Sequence, residues 1–220
     1  MAQSMSVIVL LCAVLALNGV VGRELKATYT CTTGCSTLLS SAANFGVLAS
    51  STITNNGFST IMGSAAIYPG TDVVGFPPGN ITGTLYVGGA VAVKAVDDAQ
   101  NAYDVLVAMP YNSSADLSGQ DLVGMNLTAG KYFFSGSAQL SGNLTLNAQG
   151  NRSAIFVIQT SSTFTTSARS NVNLINGAKS CNVFYAVGSS ATIHAGSNIR
   201  GSVLAYAAVT VGTQVSFHAR

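Results

Sequence analysis

Covalent catalysis and metal binding need carboxylates, imidazoles or thiols that converge, and this 220-residue chain owns few: seven Asp and Glu, two His and four Cys. No Asp or Glu follows Asp121. Asp97 and Asp98 are neighbours on an expected helix and therefore point apart. His194 and His218 lie on different expected strands with no acid in sequence reach, so they read as surface residues. A Ser–His–acid set cannot be assembled, and the paired carboxylates of a carbohydrate-cleaving enzyme are missing. The chain is expected to be no enzyme, with no cofactor and no metal site.

The thiols point to structure instead. Cys31 and Cys35, in TCTTGC, are spaced so that Gly34 could let the loop close into a local disulfide, with two free thiols as the alternative. Cys181 is then left over, read as a buried structural thiol.

What is abundant is hydroxyl. Only 7% of residues are charged, against about 25% in an ordinary soluble domain, so Ser, Thr, Asn, Gly and Ala must cover the surface. Four stretches repeat one pattern: Ser50-Ser51-Thr52-Ile53-Thr54, Ser161-Ser162-Thr163-Phe164-Thr165, Ser190-Ala191-Thr192-Ile193-His194 and Ala208-Val209-Thr210-Val211-Gly212. Alternate strand residues face opposite sides. Ile53, Phe164, Ile193 and Val211 then point inward. Thr52, Thr163, Thr192 and Thr210 form an outward column flanked by Thr54, Thr165, His194 and Gly212, and by Ser50, Ser161, Ser190 and Ala208. Such an array binds no substrate by charge. It holds water, with hydroxyls anchoring it and methyls restricting it.

The elements that position the array are short strands punctuated by Gly, Asn and Ser, such as NLTLNA (143–148), SAIFVIQT (153–160) and NVFYAV (182–187). Strand-and-turn units at irregular intervals suggest the rungs of a solenoid. One helix is expected at about 89–109, stopped by Pro110. Val96, Ala99, Tyr103, Leu106 and Val107 form its apolar face, and Lys94, Asp97, Asp98, Asn101 and Asp104 its polar one. Residues 1–22 hold the apolar run VIVLLCAVLAL and read as a secretory leader, leaving 23–220 as a single domain. With a net charge of +2 and no basic run, no nucleic-acid partner is expected, nor a membrane. Five N-x-S/T sequons begin at Asn80, Asn112, Asn126, Asn143 and Asn151. Composition alone predicts roughly three, so their number decides nothing.

The stretches LLSSAANFGVLASSTITNNG (38–57), NAYDVLVAMP (101–110), LSGQDLVGMNLTAGKYFFSGSAQLSGNLTLNAQGN (117–151) and SNVNLINGAKSCNVFYAVGSSATI (170–193) give the chain a family resemblance. It resembles the secreted type 1 ice-binding proteins, over nearly all of 38–220. The resemblance implies a mainly β fold: an irregular right-handed parallel β-helix of triangular cross-section, with the long helix packed alongside. It also implies a flat face that binds ice, running through the four aligned strands and the rung of Ser137 and Gln139, with a contribution from Thr71–Val74. His194 and Gly212 interrupt the Thr column, and no Lys or Asp is expected on it. Asn143 is expected to be unmodified or to point off the face. Ice is the implied partner of a monomer. A non-catalytic structural or adhesive module of a cell coat is the other reading of the same pattern.

Overall fold

The computed structural model describes residues 37–50, 52–54, 60, 61, 63–212 and 214–218. The expected leader and the Cys31–Cys35 loop lie outside them. Before the helix come β1 (Phe45–Ala49), β2 (Thr52–Thr54), β3 (Thr60–Ile61), β4 (Ser64–Ile67), β5 (Asp72–Val74), β6 (Asn80–Ile81) and β7 (Leu85–Val87). The helix α1 runs Gly89–Ala108. After it come β8 (Asn126–Thr128), β9 (Gly130–Phe134), β10 (Ala138–Leu140), β11 (Asn143–Asn147), β12 (Phe156–Thr160), β13 (Phe164–Thr166) and β14 (Asn171–Ile175). The last are β15 (Val183–Val187), β16 (Ser190–Ile193), β17 (Asn198–Arg200), β18 (Ser202–Ala205), β19 (Ala208–Val211) and β20 (Ser216–His218).

All the ladders between these strands are parallel. After the helix the chain visits three sheets in a fixed cycle. The first side is β9-β12-β15-β18, the second β10-β13-β16-β19, and the third β8-β11-β14-β17-β20. Before the helix the same cycle builds β1-β4-β7, β2-β5 and β3-β6. The result is a three-sided β-helix in two blocks. Its core is the inward residue of each alternation: Phe134, Phe156, Phe164, Tyr185, Leu140, Leu144 and Ile193 are almost wholly buried. Phe164 and Tyr185 stack across it with ring centroids 5.1 Å apart. Burial pushes the Tyr185 hydroxyl well above its ordinary range.

The helix spans the first side of both blocks. Its N-terminal half packs Ala92, Ala95 and Ala99 against Leu48 and Ala66. Its C-terminal half packs Ala102 and Leu106 against Val157, Phe184, Ala186 and Leu204. This corrects the expected apolar face. The buried seam is mostly alanine, Val96 is only half-buried, and Val107 is 37% exposed. Small side chains let a helix axis approach a sheet closely, and hydrophobicity alone did not reveal that preference. Of the expected polar side Lys94, Asp97, Asn101 and Asp104 are exposed, whereas Asp98, at 14% side-chain exposure, is turned inward and pairs with Lys94 at 3.0 Å.

Two contacts pin the helix, one at its middle and one at its C-terminal end. The Ser41 amide and hydroxyl both donate to Asp98 Oδ2. Burial raises the Asp98 pKa, but the Ser41 and Lys94 hydrogen bonds outweigh it and hold the carboxyl below its ordinary 3.8. At the C-terminal end Lys131, itself buried, donates Nζ to the Val107 carbonyl at 2.8 Å and to the Met109 carbonyl. Those carbonyls are among the acceptors a helix leaves unpaired. Cys181 is disulfide-bonded, which corrects its reading as a free buried thiol. The other cysteines all lie outside the described residues, so this bond is one that local spacing could not reveal.

Candidate functional site

The second side of the later block is a four-stranded sheet, and its register decides which side chains meet. Gln139 pairs with Thr165, Thr165 with Thr192, and Thr192 with Thr210. Two residues earlier, Ser190 pairs with Ala208, and the Thr163 hydroxyl donates to Ser137 Oγ at 2.9 Å. The outward grid therefore has two rows: Ser137, Thr163, Ser190, Ala208, and Gln139, Thr165, Thr192, Thr210. Neighbouring strands lie about 4.8 Å apart and same-face residues about 6.7 Å apart, so the grid is roughly 7 by 14 Å between its outermost positions. None of these eight residues is ionisable.

The opposite side of the same strands is buried: Ala138, Phe164, Ala191 and Val209, then Leu140, Thr166, Ile193 and Val211. Thr166 is the polar member, and its Oγ1 accepts the His194 amide at 3.0 Å and meets Ser197 Oγ at 3.3 Å. The grid thus rests on a packed layer whose inner hydroxyl is already partnered. Rigidity follows from burial.

The expected columns need correction. Thr163 does not stand beside Thr192 and Thr210; Thr165 does. Ser161 is not in the row of Ser190 but stacks at the corner over Gly188, where a Cβ would lie 2.5 Å from the Ser161 carbonyl oxygen. The alignment was two residues out in β16 and β19. A shift of two leaves every inward and outward assignment unchanged, so alternation could not detect it. The corner glycine could have, because only a residue without Cβ fits beneath Ser161.

Three other expectations also fail on position. Thr52 and Thr54 occupy the equivalent place in the cycle but belong to a separate sheet, where Thr52 pairs with Asp72 and Thr54 with Val74. Asp72 is exposed, so a carboxylate does stand beside a Thr of the aligned set. Ser50 is buried, at 6% exposure, and cannot present a hydroxyl to a flat surface. His194 lies past the end of the grid, exposed, with Nδ1 2.6 Å from the Thr166 carbonyl oxygen, a contact that turns its ring toward the corner.

At the grid's other margin Asp121 bridges to Gln139. Its Oδ1 accepts the Val123 amide at 2.9 Å and the Ser141 amide at 3.0 Å. Burial raises its pKa, yet these bonds and the Ser141 side chain outweigh that and hold the carboxyl below the ordinary value. The carboxylate is therefore a turn cap, spent on backbone. A groove of about 260 Å³ runs along this margin past Gln120, Asp121 and Gln139, and it contains one acid and no base. Among the described residues no three His, Cys, Asp or Glu cluster as a metal site, and no helix is long and apolar enough to cross a membrane. Asn143 opens β11 on the third side, off the grid, as expected.

Comparison with known proteins bears on the family and the fold. The family profile described as ice-binding-like matches residues 47–220. An ice-binding protein of Nostoc sp. (strain HG1) is 43% identical over 179 residues, covering 81% of this chain and 65% of that protein. The crystal structure of an ice-binding protein from the Antarctic ascomycete Antarctomyces psychrotrophicus superposes with a TM-score of 0.73 at 33% identity, covering 83% of this chain and 97% of that one. One from an Antarctic biological consortium gives 0.71 at 33% identity, covering 91% and 94%.

Proposed function

The chain belongs to the ice-binding-like family, and on that premise we propose that it binds ice through the grid on β10, β13, β16 and β19, arresting ice growth and recrystallisation. The observation that carries the assignment is the row Gln139, Thr165, Thr192 and Thr210, uncharged and held on a fully buried layer. Thr methyls restrict the adjoining water and hydroxyls anchor it. Because the grid is rigid, water held there is already near fixed positions and loses little further freedom on joining a crystal. An ionised group would reorient that water, and the grid has none. Once adsorbed, the protein forces the ice front to bulge between molecules, and curvature lowers the local freezing point.

The family is non-enzymatic in kind, and the sparse, dispersed acids support the absence of catalysis in this chain. The protein acts outside the cell, as a monomer, with ice as its partner and neither nucleic acid nor membrane engaged. The leader-like residues 1–22 support secretion. The chain spans 65% of the Nostoc relative, so these properties are proposed for the domain itself.

Nanolitre osmometry tests the proposal. A single ice crystal in supercooled solution of the purified chain is expected to stop growing and become faceted. Unrestrained disc-like growth with a folded sample would overturn it and return the grid to the coat or adhesive reading.

A further inference from the structure

Of the three sides of the β-helix, one is covered by α1 and one presents the grid. The third has no assigned role, and its asparagines fall into two kinds. In the later block, Asn147, Asn171, Asn173, Asn176 and Asn198 lie outside any sequon, and each is tied by its side chain. Asn171 Nδ2 donates to Asn173 at 2.6 Å, Asn198 Nδ2 to Asn171 at 2.9 Å, and Asn176 Nδ2 to Asn147 at 2.9 Å.

Three of the five sequon asparagines behave differently, whereas Asn151 Oδ1 accepts the Ser153 amide at 2.9 Å. Asn80, Asn126 and Asn143 are the first residues of β6, β8 and β11, all on the third side. All three are exposed, and none makes a side-chain hydrogen bond among the described residues. Strand alternation puts Thr128 and Thr145, the sequon hydroxyls, on the same outward side as Asn126 and Asn143. The other two sequon residues, Asn112 and Asn151, are exposed in loops. No sequon asparagine lies on the grid or on β2 and β5.

We propose that Asn80, Asn126 and Asn143 are N-glycosylated, so that glycans clothe the third side and leave the grid bare. In each case the amide Nδ2 forms a bond to the anomeric carbon of a lipid-linked glycosyl pyrophosphate. The carbon–oxygen bond to the pyrophosphate breaks and the lipid pyrophosphate leaves with the electron pair, while the amide gives up one proton. The folded protein accommodates the product because each of the three residues is exposed and its side chain has no bond to surrender among the described residues. The physical need is solubility. With 7% charged residues the chain has little electrostatic repulsion to keep copies apart, and glycans are bulky and solubilising. The inference rests on the secretion proposed above and is independent of ice binding.

Peptide mapping of the protein secreted by its natural source tests it, with enzymatic deglycosylation in isotope-labelled water marking each formerly glycosylated Asn as labelled Asp. Label at Asn80, Asn126 and Asn143 is expected; unmodified peptides at these positions overturn the proposal whatever the ice assay shows. A second variant checks the bare side. Thr163→Asn creates the sequence Asn-Phe-Thr on the grid without altering the others. Made in a eukaryotic secretory host it is expected to gain a glycan and lose growth arrest, while the same variant from a bacterial host lacking N-glycosylation keeps most of it. A glycan at position 163 with arrest intact would show that the grid need not be bare.

Discussion

Thr192 has Thr165 on one side and Thr210 on the other in the outward row, and Ser190 two residues before it, so Thr192→Tyr perturbs the centre of the grid. A phenol ring reaches several ångströms further from the sheet than a threonine. It therefore lifts a planar ice surface off the positions about 4.8 Å to either side and about 6.7 Å along the strand. Those positions and Thr192 itself make up about half of the eight-residue grid. The freezing-point gap is expected to fall by at least half, and more if adsorption requires contact along the whole row. Stability should change by no more than about 0.5 kcal/mol, because the side chain faces outward and makes no hydrogen bond that folding depends on. Nanolitre osmometry reads the gap, and thermal melting by circular dichroism shows that the fold is intact. Asn173→Tyr, on the third side, is the comparison and should keep the full gap. A folded Thr192→Tyr protein with an undiminished gap, or equal losses in both variants, would remove the grid as the binding surface.

Gly188→Ala should destabilise the protein by about 1–3 kcal/mol in denaturant unfolding, because the new Cβ meets the Ser161 backbone at 2.5 Å and the corner must move; wild-type stability would mean that the corner does not fix the register. Lys131→Met removes two hydrogen bonds to the end of α1 and is expected to lose about 2–3 kcal/mol, with the gap unchanged in the surviving folded fraction; a neutral effect would show that other groups satisfy those carbonyls. Asp98 has a folded pKa below its ordinary 3.8, so it contributes stability above that value and loses it as pH falls through 3.8 toward the folded pKa. The melting temperature should therefore drop in that window, and Asp98→Asn should flatten the drop. An identical acid slope in the variant would assign the effect to other carboxylates.

Much of this protein is legible in its sequence. Alternation separates inward Phe164, Ile193 and Val211 from outward Thr165, Thr192 and Thr210, since a strand has only two faces and water sorts them. The same periodicity logic finds a helix ahead of Pro110 and its charged outer side. The scarcity and scatter of acids, visible by counting, argued against convergent chemistry before any fold was known.

What tertiary structure alone decided is everything that depends on how one coil is stacked on the next. A slide of two residues keeps each side chain on its face, so the pattern could not choose between Thr163 and Thr165 as the partner of Thr192. The contact of Gly188 with Ser161 chose, through the volume of a single Cβ. Ser50 and Ser161 look alike in sequence, yet one is buried and the other exposed. Thr52 and Thr165 occupy matching places in the cycle, but Thr52 found Asp72 beside it and Thr165 found Gln139 and Thr192. Cys181 is disulfide-bonded, which no neighbouring residue announces. Periodicity is a property of one strand, whereas register and burial at a corner are properties of pairs of segments brought together by the core.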